Sequence, residues 1–484
     1  MNVGLLFSPS LKIDEETLRS FFENPNLVYI AELGDHIFTD LTENLVKSLV
    51  IIGEVKEDLI YEIEQRTGIN PIAVETIPEK WIKFSKKHLS ALISAYIAKQ
   101  SFADLAYYIQ PIRASKLSRR NLIRFRLYEY LPYPVLADEL KIEREINKCI
   151  ESCPKKIIIK APEGPQVSKP EECTYCGYCS GSSYLGYLEL PTFSTMQFVS
   201  YVNTIVEKYG NAKLLFTPTK NVEISEGVFP VVIPIGGIHD SFLLSAYSAG
   251  LLPIIYASAV DEIGMKRLEE IPSHFPGTSF PILKVKNEEE LEKAYKINFE
   301  IQISKIPDDV LLSRRRRRGL LIWAINEMSK KVKLNEEEEV DGIFSVEVNP
   351  EKCVLCGVCV RMCQMLVPEM RNNGDEIILG YNLSNCIGSQ RCIKNCPENA
   401  ITFKGKAKIK DILHGQVIAN KVKLQRCRFC GKPIGSSKVK SRVDELLTSL
   451  GYSAQYTDVC NDCKQKILTK MWIERMMKNG SSRH

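Results

Sequence analysis

Sixteen cysteines are the residues with the most chemistry to offer here, and their spacing says which chemistry. Cys353, Cys356, Cys359 and Cys363 read C-x2-C-x2-C-x3-C, and Cys386, Cys392 and Cys396 follow as C-x5-C-x3-C-P. A tight loop of this kind aims three thiolates at three irons of one cube, while the fourth ligand arrives from the partner motif. In that crossed arrangement Cys396 completes Cys353, Cys356 and Cys359, and the four thiolates hold a [4Fe–4S] cluster. Cys363 completes Cys386 and Cys392, but a full motif would have a cysteine where this chain has Ser389. A cube with three protein thiolates readily loses its fourth iron, so a [3Fe–4S] cluster is expected there. The alternative is a [4Fe–4S] cluster with Ser389 or water as the fourth ligand.

A second group lies upstream. Cys149 and Cys153-Pro154 read C-x3-C-P, and Cys173, Cys176 and Cys179 read C-x2-C-x2-C. One site can be filled, by Cys173, Cys176 and Cys179 with Cys153 as the remote ligand, giving one further [4Fe–4S] cluster. The other is lost, because Ser183 replaces its last thiolate and Cys149 has no companions upstream; Cys149 is the next candidate should Cys153 not ligate. A zinc knuckle, or no metal at all, competes with this assignment. In the tail, Cys427-x2-Cys430 and Cys460-x2-Cys463 suit a closed, tetrahedral Zn2+ site, with rubredoxin-like iron as the competitor. The 29 residues between these pairs exceed the usual zinc-ribbon spacing, and SRVDELLTSLGY reads as a helix that fills the gap.

These cysteines need scaffolds. A chain of 484 residues holds three or more domains, and its 44% hydrophobic and 25% charged residues are ordinary for a globular protein. The net charge of +5 does not call for nucleic acid, and no apolar run reaches the length of a membrane span. The start lacks the basic region and apolar core of a secretory signal, so metal ligation in a reducing cytoplasm explains the cysteines better than disulfides do. There is no G-x-G-x-x-G, G-x-S-x-G or H-E-x-x-H, and only six histidines could supply bases. No catalytic residue is therefore assigned.

The expected class is α/β and multidomain: two degenerate α/β domains, two ferredoxin-like (α+β) iron–sulfur domains and a C-terminal zinc ribbon. Residues 1–108 alternate strand-like VGLLF, NLVYIAEL and SLVIIGEV with helical IDEETLRSFFE, EDLIYEIEQRTG and HLSALISAYIAKQ. Residues 109–148 form a basic connector with Arg113, Lys116, Arg119, Arg120, Arg124 and Arg126, either solvated or facing an acidic partner. A single-cluster domain spans 149–192. From 193 to 334 the α/β pattern returns, with SFLLSAYSAGLLPIIYAS as helix, turn and strand; His239 and Asp240 are expected to cap the following helix. The run Arg314 to Arg318 reads as a solvated or partner-docking helix start, and Glu336 to Glu339 as an acidic linker. The dicluster domain spans 345–408 and the zinc ribbon 420–484, whose last segment KILTKMWIERMMKNG reads as a packing helix.

Three resemblances refine these expectations. The C-x5-C-x3-C-P motif after a complete one resembles the iron–sulfur subunits of succinate dehydrogenases, which carry a [3Fe–4S] cluster. The N-terminal region, through TGINPIAVETIPEKW and the Ala-rich helix after it, resembles the N-terminal module of the A-type subunits of heterodisulfide reductases. That family has cysteines near the positions of Glu32-Leu33-Gly34 and Ile52-Gly53-Glu54, so the resemblance implies the fold alone. Residues 193–334 resemble the delta subunit of methyl-viologen-reducing hydrogenase, with Gly236-Gly237-Ile238-His239-Asp240 in place of a Cys-Ser-Gly-Arg type turn and without the binuclear-cluster cysteines. Together they imply an electron-transfer subunit of a cytoplasmic heterodisulfide-reductase-like or hydrogenase-like complex, beside a flavin- or substrate-bearing subunit. A stand-alone iron–sulfur oxidoreductase acting on a sulfur compound, and a nucleic-acid-binding protein with structural metal sites, are the other classes.

Overall fold

The computed structural model describes residues 1–55, 57–103, 108–111, 128–137, 142–258, 261–312 and 316–480. They form two compact units, 1–335 and 336–484, in which helices and strands are mixed. The basic stretch from Arg113 to Arg126 lies outside the described residues.

The first unit opens with a parallel sheet. Val3–Phe7 (β1), Leu27–Glu32 (β2), Ser48–Ile52 (β3) and Val74–Ile77 (β4) lie in the order β2-β1-β3-β4. Every residue of β1 and β3 is buried, as unbroken apolar runs under helices on both faces require. Glu15–Phe21 (α1), Ile37–Glu43 (α2) and Glu57–Thr67 (α3) connect the strands, and Lys86–Gln100 (α4) follows them. Asp14 and Ser85 cap α1 and α4 through their side-chain oxygens, satisfying amides the helices leave open.

Glu143–Ser152 (α5) and a short hairpin lead to the cysteine loop at 173–179. A second parallel sheet then repeats the first one's order. Thr195–Lys208 (α6) precedes Ala212–Thr217 (β5), Val228–Val232 (β6), Asp240–Ala249 (α7), Leu251–Tyr256 (β7) and Leu283–Val285 (β8), arranged β6-β5-β7-β8. Gly250 ends α7 in the left-handed region at φ 115°, which lets β7 start at once. The two layers meet through α4 and α6: Tyr96 and Tyr201 both donate to the Pro230 carbonyl (3.2 and 2.8 Å), and Trp81 Nε1 donates to that of Val222 (3.0 Å). Burial works to raise the Glu75 carboxyl at this seam, but the Lys99 and Lys220 ammonium groups prevail and bring it down to about 2.

Arg316–Lys331 (α8) packs on α7 and corrects one expectation. Arg317 and Arg318 are both fully buried, so this part of the arginine run is neither solvated nor free to dock a partner. Arg314 and Arg315 lie outside the described residues.

In the second unit the acidic run is not a loose linker: Glu337 pairs with Lys408 and Lys410 (2.8 and 2.5 Å), and Glu336 meets His414 (3.0 Å). Val346–Val348 (β9) opens the cysteine-rich core. Pro368–Asn373 (β10) and Glu376–Asn382 (β11) form a hairpin between the two motifs, and Ile401–Phe403 (β12) closes the core by pairing antiparallel with β9. Gln416–Arg426 (β13) and Pro433–Ser436 (β14) extend that hairpin into one antiparallel sheet, β10-β11-β13-β14. Ser437–Ser449 (α9) is the helix expected between the tail's cysteine pairs, and Asn461–Gly480 (α10) ends the unit. The apolar residues of α10 were expected to pack; instead Leu468, Trp472, Ile473 and Met476 are exposed.

Candidate metal centres

Seven non-glycine residues among those described have φ in the left-handed region, and six of them belong to the cysteine motifs. The loop Cys173–Cys179 has Tyr175 (54°), with Gly177 (79°) two residues on; the loop Cys353–Cys359 has Leu355 (53°) and Gly357 (75°). The loop Cys386–Cys392 repeats the pattern with Gly388 (72°) and Gln390 (56°), so Ser389 sits at the middle-cysteine position of an intact loop. Each remote cysteine is followed, three residues later, by another such residue: Lys156 after Cys153 (54°), Leu366 after Cys363 (52°) and Asn399 after Cys396 (47°). Side-chain-bearing residues avoid this region, at a cost of about 1–3 kcal/mol each, unless the surroundings require it. The requirement here is shared. Two left-handed residues in one short loop curl it so that its side chains converge and its amides turn inward, a concavity that suits an anion.

The side chains follow the backbone. Cys353, Cys356, Cys359 and Cys396 line one small cavity, with Pro397, Met370 and Leu379 in its wall. Cys363, Cys386 and Cys392 line another, together with Ser389, Gln390 and Tyr381. These are the two groupings the crossed pattern predicts. The Ala400 amide donates to Cys396 Sγ (3.3 Å), and that of Tyr175 to the Cys173 sulfur. Burial pushes the Cys359 thiol up to about 11 and that of Cys392 to about 12, with neighbouring cysteines adding to both. Thiols held this way lose their protons to a metal cation in preference to water. Tyr381, a residue that sequence reasoning missed, is buried in the wall around Cys363, Cys386 and Cys392, and burial raises its hydroxyl. In the sequence it is one more aromatic in an alternating strand, with nothing to single it out.

In the upstream group Cys153, Cys173 and Cys176 lie near Cys179, and Cys149 lies near it as well; of the four in the predicted set, Cys179 is the most deeply buried. The Gly236-Gly237 turn lies directly on this loop: a Cβ on Gly236 would stand 2.3 Å from the Cys176 carbonyl oxygen, and one on Gly177 would stand 2.6 Å from the Gly237 nitrogen. His239 caps α7 as expected, its Nδ1 accepting from the Ser241 amide (3.1 Å). Asp240 pairs with Arg267 (3.3 Å). The lost position is solid. Residues 143–149 run as helix α5 and not as a loop, Cys149 is fully buried, and its thiol hydrogen-bonds with Ser183. Burial first, and then the Glu145 carboxylate, push the Cys149 thiol up to about 12. Arg317 fills the neighbourhood, donating to the Ser180 carbonyl, to Ser180 Oγ (2.7 Å) and to Thr195 Oγ1 (3.5 Å).

In the tail, the sulfurs of Cys427, Cys430, Cys460 and Cys463 all lie within 4.8 Å of one another, with Cys430 and Cys460 at 3.6 Å. Cys427 directly follows β13, Cys430 lies in the turn to β14, and Cys463 lies in the first turn of α10. Backbone amides, that of Cys460 foremost, lower the Cys427 thiol. Four clustered thiols with no oxygen ligand fit a closed site for zinc or a similarly soft cation.

Residues 346–367 match the 4Fe-4S binding domain family, a segment that carries the complete C-x2-C-x2-C-x3-C motif. Ferredoxin-3 of Nostoc sp. (strain PCC 7120) is 26% identical over 74 residues, a stretch covering 12% of this chain and 76% of that protein. The chain is thus an iron–sulfur protein with a 4Fe-4S binding domain. Among the described residues no helix is long and apolar enough to cross a membrane.

Proposed function

We propose that this chain is an iron–sulfur electron-transfer subunit of a larger oxidoreductase complex. It would hold two [4Fe–4S] clusters, one on Cys153, Cys173, Cys176 and Cys179 and one on Cys353, Cys356, Cys359 and Cys396. A third, [3Fe–4S] cluster or its [4Fe–4S] form, sits on Cys363, Cys386 and Cys392 with Ser389 beside it, and Cys427, Cys430, Cys460 and Cys463 hold a structural Zn2+. The observation that carries the reading is the threefold recurrence of one left-handed backbone pattern, each copy wrapped around a cysteine loop and its remote cysteine. A ligand common to all three sites accounts for that pattern recurring three times. Bound clusters of this type exchange single electrons with little structural change. The chain contributes ligands, cavity walls and a hydrogen bond to sulfur.

The segments 1–108 and 193–334 act as scaffolds of the heterodisulfide-reductase and hydrogenase-delta kind that lack clusters of their own, joined by the connector 109–148. The clusters reside in 149–192 and 345–408, and the zinc ribbon in 420–484. The partner is a flavin- or substrate-bearing redox subunit in the cytoplasm. Anaerobic purification from the native host tests the whole reading: about eleven iron atoms and one zinc per chain, with a co-purifying redox subunit, are expected. A lone monomer free of iron would overturn it.

A further inference from the structure

We propose that helix α10 is a docking element whose second half, Leu468 to Met477, seats in an apolar groove of a partner protein with carboxylates along the groove's rim. The inference rests on the reading of this chain as a subunit of a larger complex, and on none of the cluster assignments. The helix starts at the tail's cysteines, where Ile467 still packs against Cys427, Val459 and Cys460. Every residue from Leu468 to Met477 is exposed, a span of about 15 Å at the helical rise per residue. Four large side chains recur there at i, i+3, i+4 and i+8: Leu468 (58% exposed), Met471 (51%), Trp472 (62%) and Met476 (57%). Ile473 is exposed beside them.

Shape and charge choose the occupant. Successive helical residues stand about 100° apart, so Met471 and Ile473 flank Trp472 on opposite sides, and apolar side chains point more than halfway round the helix. A bilayer surface covers one side of a helix that keeps a polar face to water; a groove encloses more of it. Leucine, methionine and isoleucine gain from apolar walls, which the phosphates of a nucleic acid do not offer. Methionine adapts to irregular walls, and tryptophan is among the side chains that carry most binding energy. The charge then selects the rim. Residues 420–484 hold fourteen lysines and arginines against five acidic residues, in a chain whose net charge is only +5. On α10 itself Lys466, Lys470 and Arg475 are exposed, and Asp462 is already engaged by Lys432 (2.9 Å). Two such tails repel each other, which disfavours a second copy, whereas carboxylates on a partner complement them.

The test compares the tagged full chain, purified anaerobically from the native host, with its Trp472→Ala and Lys466→Glu/Lys470→Glu variants. These side chains are exposed, so both variants should keep the parent's iron and zinc. The parent should bring down a partner subunit, and Trp472→Ala should recover about tenfold less of it. The double variant should release it at lower salt than the parent does. A carbodiimide joins amines to carboxylates in contact, so in the parent complex it should link Lys466 and Lys470 to Asp or Glu of that subunit, as read by mass spectrometry. Three results would each overturn the proposal: undiminished recovery with Trp472→Ala, linkage of these lysines only to copies of this chain, and Trp472-dependent binding to phosphatidylglycerol vesicles or duplex DNA in place of the subunit. Loss of zinc from a variant would overturn it as well, by making those residues part of the ribbon's packing. A parent that purifies alone marks the failure of the subunit reading itself, and the proposal falls with it.

Discussion

The cysteine-rich regions 149–192 and 345–408 follow one plan and have lost different parts of it. At Ser389 a ligand is gone, but Gly388 and Gln390 still bend the loop as Leu355 and Gly357 do. At 143–149 the loop itself is gone. Helix α5 runs through the place where a curl would be needed, leaving Cys149 hydrogen-bonded with Ser183 and buried near Arg317. Losing a side chain leaves a cage that one substitution can complete. Losing the backbone turn leaves a core, which the chain has filled with a helix and a guanidinium.

That contrast can be broken most severely at the intact upstream cage. Cys173→Ala should remove about four iron atoms per chain, whereas Cys149→Ala should leave iron content unchanged; equal losses in both would erase the distinction. A comparable loss of zinc is expected from Cys430→Ser, with iron retained, as read by metal analysis. Gly236→Ala tests the support beneath the same upstream loop. The added Cβ meets the Cys176 carbonyl at 2.3 Å, so a cost of about 1–3 kcal/mol should appear as a lower urea midpoint and faster loss of iron to chelators. Ser389→Cys sharpens the comparison from the other side. It should add about one iron atom and abolish the oxidised three-iron EPR signal, while Glu143→Cys, Ile146→Cys and Ser183→Cys combined should add none.

The smallest effect concerns the seam of the α/β layers. The Glu75 carboxyl lies at about 2 in the fold, against an ordinary 4.5. Because the folded value is the lower one, its contribution is fully present above the ordinary value and is lost as pH falls toward 2. The amount is on the order of 3 kcal/mol. Urea denaturation between pH 5 and 3 should show the decline, and Glu75→Gln should flatten it.

Much of this was legible in the residues because cysteine spacing and strand patterning are local signals. The groupings of Cys353 with Cys396 and of Cys363 with Cys386 follow from loop length, and β1, β3, α4, α7 and β7 follow from hydrophobic period. The two layers' common strand order was not legible, since α2 is short and β4, VETI, is half polar. The arginine run misled for another reason. Charge composition alone says solvent, and only tertiary neighbours such as Ser180 and Thr195 reveal a buried guanidinium. Tyr381 was silent because its place in the wall around Cys363, Cys386 and Cys392 is set by the fold and not by spacing. The apolar residues of α10 carried the pattern of a packed face, yet pattern alone cannot say whether a face is covered.

The sheet that runs from the inter-motif hairpin into the tail has a practical corollary. β11 is hydrogen-bonded on both sides, to β10 and to β13. A chain cut at residue 408 would lose β13 and lay bare a seven-residue strand edge, of the sort that recruits strands from other molecules. Shortened versions of this protein should therefore end beyond the tail's cysteines, or they will tend to self-associate through that open flank.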